Sequence, residues 1–159
     1  MERSRCVNIR VSRDTVHITQ AYLLRLAAMS PNPEILRTVL RICPYLATVC
    51  ELRLRDTFDE LIGLVTSLEI AIFKRRYENI KLLLCIGSRI GLKRLRSFLI
   101  GKSSLDLRIK RLLTSFRLTL QQICLICIRS SLHKLTPEVV ESLPLPRRIK
   151  AILLFKDLD

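Results

Sequence analysis

Ser67-Leu68-Glu69-Ile70-Ala71-Ile72 passes through Lys74-Arg75-Arg76-Tyr77 into Asn79-Ile80-Lys81-Leu82-Leu83-Leu84 and stops at Gly87. Apolar residues recur at helical spacing on both sides of a polar, cationic turn, which predicts a helix, a tight turn and a second helix. Ala71 is small where two helices must approach closely. Gly87 can adopt the left-handed conformation that ends a helix.

Upstream the same arrangement occurs once more. Leu23, Leu24, Leu26 and Ala27 form an apolar cluster that breaks at Ser30-Pro31-Asn32-Pro33. Glu34 then opens a helix carrying Ile35, Leu36, Val39, Leu40 and Ile42, and Pro44 stops it. Leu24 pairs with Leu68, Ala27 with Ala71, Leu36 with Ile80 and Leu40 with Leu84, each pair 44 residues apart. Repetition at such a period marks a stacked helical array. The second copy resembles an ankyrin repeat: Thr66-Ser67-Leu68-Glu69-Ile70-Ala71 is similar to the family's T-P-L-H-x-A, and Asn79 to Gly87 to its I-V-x-x-L-L-x-x-G. Ser67 and Glu69 depart from that pattern. The offset exceeds the ankyrin period of about 33 residues, which places an insertion around Cys50–Glu60. The resemblance implies a short degenerate ankyrin-like array, with Arg75, Arg76 and Tyr77 at its turn as candidates for holding a protein substrate. Without it, the same residues read as a generic bundle of helical hairpins.

Composition agrees with helices. The four glycines and six prolines among 159 residues are few for an all-β chain, which needs a turn every ~8–12 residues. Hydrophobic residues make up 49% and aromatics 5%, so the core is built from Leu, Ile and Val. The net charge is +14, from 28 lysines and arginines against 14 acids. Such an excess attracts nucleic acid or acidic protein surfaces, but no aromatics interleave with the cations as a base-stacking platform requires. No run of ~18 apolar residues spans a bilayer, and the first residues lack the apolar stretch of a signal peptide. An intracellular chain, cytoplasmic or nuclear, is therefore expected. Its cysteines are then expected as buried free thiols. Cys124-x-x-Cys127 has only His17 and His133 to complete a metal site, so no metal or other cofactor is expected. Residues 1–20, with Val7, Ile9 and Val11 alternating, suggest an extended arm or a short hairpin. Between Gly91 and Phe116 a further amphipathic stretch carries Leu92, Leu95, Phe98 and Leu99, then Leu105, Leu107, Ile109, Leu112 and Leu113.

The last quarter of the chain has its own pattern. Leu120, Cys124 and Ile128 fall at i, i+4 and i+8, on one face of a helix. Ile123 to Ile128, however, is apolar on every side, so this helix needs two partners: the preceding helices and another chain. Thr136, Pro137 and Glu138 form a helix start. Leu143-Pro144-Leu145-Pro146 must be extended, because each leucine precedes a proline. Pro146 can begin a last helix with Ile149, Ile152 and Leu153 on its inner side.

Thr119, Leu120, Cys124 and Ile128 resemble the elongin-binding segment of a SOCS box, and Leu143-Pro144-Leu145-Pro146 resembles that module's cullin-5 segment. The two occur in the right order over the last quarter of the chain. Leu125 stands where many SOCS boxes are basic, and Ile152 where the family often has an aromatic. The resemblance implies an all-α protein: an arm over 1–20, a degenerate ankyrin-like helical repeat array over 21–114, and a three-helix SOCS box over 115–159. It further implies a non-catalytic substrate adaptor of a ubiquitin ligase. Elongin C, paired with elongin B, would bind at Thr119, Leu120, Ile123, Cys124 and Ile128. Cullin-5 with its RING-box protein would bind at Leu143, Pro144, Leu145 and Pro146. A basic helical module for nucleic acid or acidic proteins is the alternative, and an elongin-binding decoy without substrate is a third reading.

Overall fold

The computed structural model describes residues 22–49, 66–100, 105–132 and 135–156, and every regular element among them is an α-helix. The predicted arm over 1–20 and the insertion around Cys50–Glu60 lie outside the described residues.

The first hairpin pairs α1, over residues 22–29, with α2 (Pro33–Ile42). Asn32 caps α2, its side-chain oxygen accepting from the Glu34 N–H at 3.0 Å. Pro33 takes the first helical position, where a missing N–H is harmless, so the helix opens one residue before Glu34. A short α3 (Leu46–Val49) follows. The second hairpin is α4 (Ser67–Phe73) and α5 (Tyr77–Cys85). Thr66 and Glu69 close a capping box around the start of α4, with the Thr66 N–H donating to the Glu69 carboxylate at 2.8 Å.

Both helices of this hairpin end in the same hydrogen-bonded turn. Arg76 N–H reaches the Ala71 carbonyl at 2.9 Å with Arg75 left-handed at φ 55°, and Ser88 N–H reaches Leu83 at 2.9 Å with Gly87 at φ 103°. The glycine was expected there; an arginine in the same role was not.

The hairpins stack. Asn79 Nδ2 donates to the carbonyls of Ala28 and Ser30 at 3.1 and 3.0 Å, and Arg76 Nε to that of Met29 at 3.1 Å. The second hairpin thus satisfies carbonyls that the end of α1 leaves open. α5 packs between α2 and α7 (Leu107–Ser115). α6 (Leu92–Ile100) lies along α4, because Arg94 faces Glu69 at 3.7 Å and the Phe98 ring meets Phe73 edge-on at 5.0 Å. Both pairs are 25 residues apart, so these two helices run parallel.

The repeat pairing holds for Leu24 with Leu68, Ala27 with Ala71 and Leu36 with Ile80, all buried. It fails at the fourth pair: Leu40 is buried while Leu84 is half-exposed, and Leu83 takes the inner position. Leu23, Leu26 and Leu107 also point to solvent rather than to the core, since Leu24, Ala27, Ala28 and Ile109 occupy the inward faces of their helices.

The expectation of buried thiols is corrected. Cys43 and Cys85 are half-buried, whereas Cys124 and Cys127 are exposed, because both lie on the outer side of the helix that carries them. Cys6 and Cys50 lie outside the described residues.

Candidate docking surface

α8 (Leu120–Ser131) begins at Thr119, whose hydroxyl accepts from the Gln122 N–H at 3.2 Å while the Gln122 side chain accepts from the Thr119 N–H at 2.8 Å. Its first turn is thereby fixed without any help from the rest of the chain. Beyond that turn the two sides of the helix differ.

The inner side is packed. Ile126 lies so close to Gly87 that a Cβ on that glycine would meet the Ile126 Cδ1 at 2.9 Å. Leu125 is buried with Leu135, Val140, Leu153 and Leu154, which explains why a leucine stands where many SOCS boxes are basic: here the position faces a core. Burial pushes the Cys85 thiol up, against Lys81 and a hydrogen bond with Gln122 that pull it down. Arg129 is buried too. Its guanidinium donates to the Ile152 carbonyl at 2.9 Å and lies over the Phe155 ring, 4.0 Å from its centroid. Burial pulls its pKa down to about 10, so it remains a cation at neutral pH.

The outer side is open. Leu120 is 77% and Ile123 44% exposed, and Cys124 and Cys127 are exposed with them. These residues fall at i, i+3, i+4 and i+7, one continuous stripe along the helix. Ile128, expected with them, is half-buried against the inner cluster. Thr119 sits at the head of the stripe as the cap.

α9 (Pro137–Ser142) and α10 (Arg147–Leu153) complete the module. Thr136 caps α9, accepting from the Val139 N–H at 3.4 Å, with Pro137 in the first turn. Leu143 and Pro146 have extended ψ values of 143° and 146°, but the Leu145 N–H donates to the Leu143 carbonyl at 2.8 Å, so a tight turn across Pro144 replaces the extended run expected there. The sequence suggested that this segment presents its leucines. Instead Leu143 and Leu145 are half-buried against the cluster around Val140 and Leu153, and Pro144 and Pro146 are exposed. Ile152 is likewise half-buried, its carbonyl taken by Arg129.

Sequence reasoning missed Phe155. The residue is left-handed at φ 56° and ends α10 with the same turn as α4 and α5, its neighbour Lys156 donating to the Ala151 carbonyl at 2.9 Å. A bulky residue rarely adopts that conformation. Here it drives the ring out of its own module and into the core of the hairpin array. The signal in the sequence was a phenylalanine beyond the last helical stripe, next to a lone arginine, Arg129, in an apolar run.

Of the candidates at the array turn, Arg75 is exposed with a left-handed backbone, Arg76 is held by the Met29 carbonyl, and Tyr77 opens α5 with 38% of its surface exposed. Among the described residues no cluster of His, Cys, Asp and Glu could hold a metal ion, and no single helix is long and apolar enough to cross a membrane.

Residues 117–154 match the SOCS box family model, so the C-terminal segment carries a SOCS box, the module that links proteins to elongin B/C and a cullin-based ubiquitin ligase. No curated protein and no solved structure matches the chain.

Proposed function

We propose, taking the SOCS box over residues 117–154 as the premise, that this chain is a non-catalytic adaptor that brings a protein substrate to a cullin-RING ubiquitin ligase. Elongin C, in its complex with elongin B, binds the outer side of α8 through Leu120, Ile123 and Cys124, with Thr119 holding the first turn and Ile128 contributing its exposed part. Leu143, Pro144, Leu145 and Pro146 form the contact with cullin-5 and its RING-box partner, through the prolines above all. The region 21–114, an ankyrin-like array in this reading, holds the substrate with Arg75 and Tyr77 near its recognition surface, and 115–159 docks the ligase. The complex works in the cytoplasm or nucleus.

The observation that carries this reading is the apolar stripe on α8 that the described residues leave exposed. Burying an aliphatic side chain contributes about 1.5–3 kcal/mol. Two such residues with a thiol beside them therefore support association once ordering costs are subtracted. Ubiquitin transfer needs no chemistry from this chain. Holding substrate and ligase together raises the effective concentration of the substrate's lysines near the reactive thioester.

The test is co-expression with elongins B and C, comparing the natural sequence with Leu120→Ser/Cys124→Ser by size-exclusion chromatography. Stoichiometric co-elution lost in the double variant supports the adaptor. A folded, monomeric chain that never co-elutes sinks it.

A further inference from the structure

The chain's positive charge is concentrated in one segment. Residues 89–117, which contain α6 and α7, hold nine lysines and arginines against Asp106 alone, more than half of the net +14. Arg94 spends part of its charge on Glu69. Arg89, Lys93, Arg96, Arg108, Lys110 and Arg111 meet no carboxylate among the described residues, and all but the half-buried Lys110 are exposed.

The placement opposes local stability. α2, α4, α5 and α9 each carry a glutamate in the first turn, where the helix dipole favours an anion. α6 carries no acid there and begins with Lys93 and Arg94 instead; α7 has Asp106 as its cap, accepting from the Arg108 N–H at 2.9 Å, but its first turn holds Arg108 and Lys110 and no acid. Lys93 and Arg96, like Arg108 and Arg111, are like charges one helical turn apart, which repel. An anionic partner would relieve the repulsion on both helices and the unfavourable dipole of α6.

Exposed apolar groups lie on α6 or against it. Ile100 at the end of α6 is 81% exposed, and Phe73, which leans on Phe98 of that helix, is 60% exposed. Such groups suit a polypeptide carrying aliphatic side chains between its acids. A nucleic acid would bring phosphates and stacking bases, and no row of aromatics on α6 and α7 offers bases a platform.

We propose that the exposed cations of α6 and α7 form the substrate-docking surface and that they select an acidic polypeptide segment with interspersed aliphatic residues. This deepens the adaptor reading and rests on it for the word substrate, while the binding itself does not. Electrostatic complementarity of this kind governs association rate and partner choice, and weakens with salt.

The experiment uses the full chain co-expressed with elongins B and C, as the natural sequence and as Arg96→Glu/Arg111→Glu. Fluorescence anisotropy follows a labelled peptide of Glu-Leu-Gly-Glu repeats and, separately, a single-stranded oligonucleotide of equal net charge. Elongin co-elution is scored on the same samples. The expected result is saturable peptide binding, tighter than to the oligonucleotide, weakened at least about tenfold by charge reversal, with elongin co-elution unchanged. Peptide binding equal in both proteins, absent in both, or weaker than oligonucleotide binding overturns the proposal. Loss of elongin co-elution in both proteins with intact, Arg96/Arg111-dependent peptide binding would instead overturn the adaptor reading and leave this surface standing. Should the double variant fail to fold, Lys93→Gln/Arg108→Gln, which adds no like-sign acid pair, gives the same readout with a smaller loss.

Discussion

α4 and α8 open with the same device, a threonine and its third neighbour exchanging hydrogen bonds, yet their surroundings are opposite. In α4 the box is buried, Glu69 is wholly enclosed, and Leu68, Ala71 and Ile72 are enclosed with it. In α8 the box is exposed and Leu120, Ile123, Cys124 and Cys127 face solvent beside it. Both helices are rich in apolar residues, so composition does not separate them. The difference is how many of the described helices pack around each. Among the described residues, α4 is covered by α5 and α6, and α8 only on the side of Gly87, Leu153 and Phe155. A helix whose apolar surface exceeds what its own chain covers is half of an interface.

That contrast can be broken from the inside. Phe155 belongs to the C-terminal module by sequence and to the array by packing, so Phe155→Ala removes the ring from the array core and the surface beneath Arg129 together. It is expected to cost about 4 kcal/mol, read as a shift of the whole urea unfolding curve. Two separate transitions with only the C-terminal one affected would show that the halves are independent. Arg129→Ala follows, at about 2–3 kcal/mol, through lost cation–π and carbonyl contacts. Gly87→Ala is expected to cost about 2 kcal/mol, because an alanine at φ 103° is strained and its Cβ crowds Ile126. Pairing it with Ile126→Ala should recover only the crowding part, which a double-mutant cycle in thermal unfolding separates. The smallest effect sharpens the contrast. Leu120→Ser should change the stability of the isolated chain by less than about 0.5 kcal/mol, whereas a loss above about 1.5 kcal/mol would mean that Leu120 is packed within the chain.

Much of this was legible in residue order. The helix–turn–helix over Ser67–Gly87, the cap at Thr136, the end of α9 ahead of Leu143-Pro144 and the match over residues 117–154 all depend on local rules. Such rules act within a few residues: helical spacing, the left-handed tolerance of glycine, the restriction that proline places on its predecessor. The capping box at Thr66 was equally legible and went unread. Which side of α8 faces out was only partly so, since an all-round apolar run does not say which of its faces the chain will cover. Ile128 turned partly inward, and the leucines of Leu143–Pro146 gave way to the prolines at the surface.

What residue order alone determined about this protein is its helical class, its repeated hairpins, the SOCS box segment and the concentration of cations between Arg89 and Arg117. The tertiary structure decided the rest: that Phe155 crosses into the array, that Gly87 and Ile126 join the array to α8, and that Cys124 and Cys127 are exposed rather than buried. The physical reason is distance along the chain. Periodicity fixes the spacing of side chains on one helix, but which stripe is buried depends on helices far away in sequence, and so does the surface left for a partner.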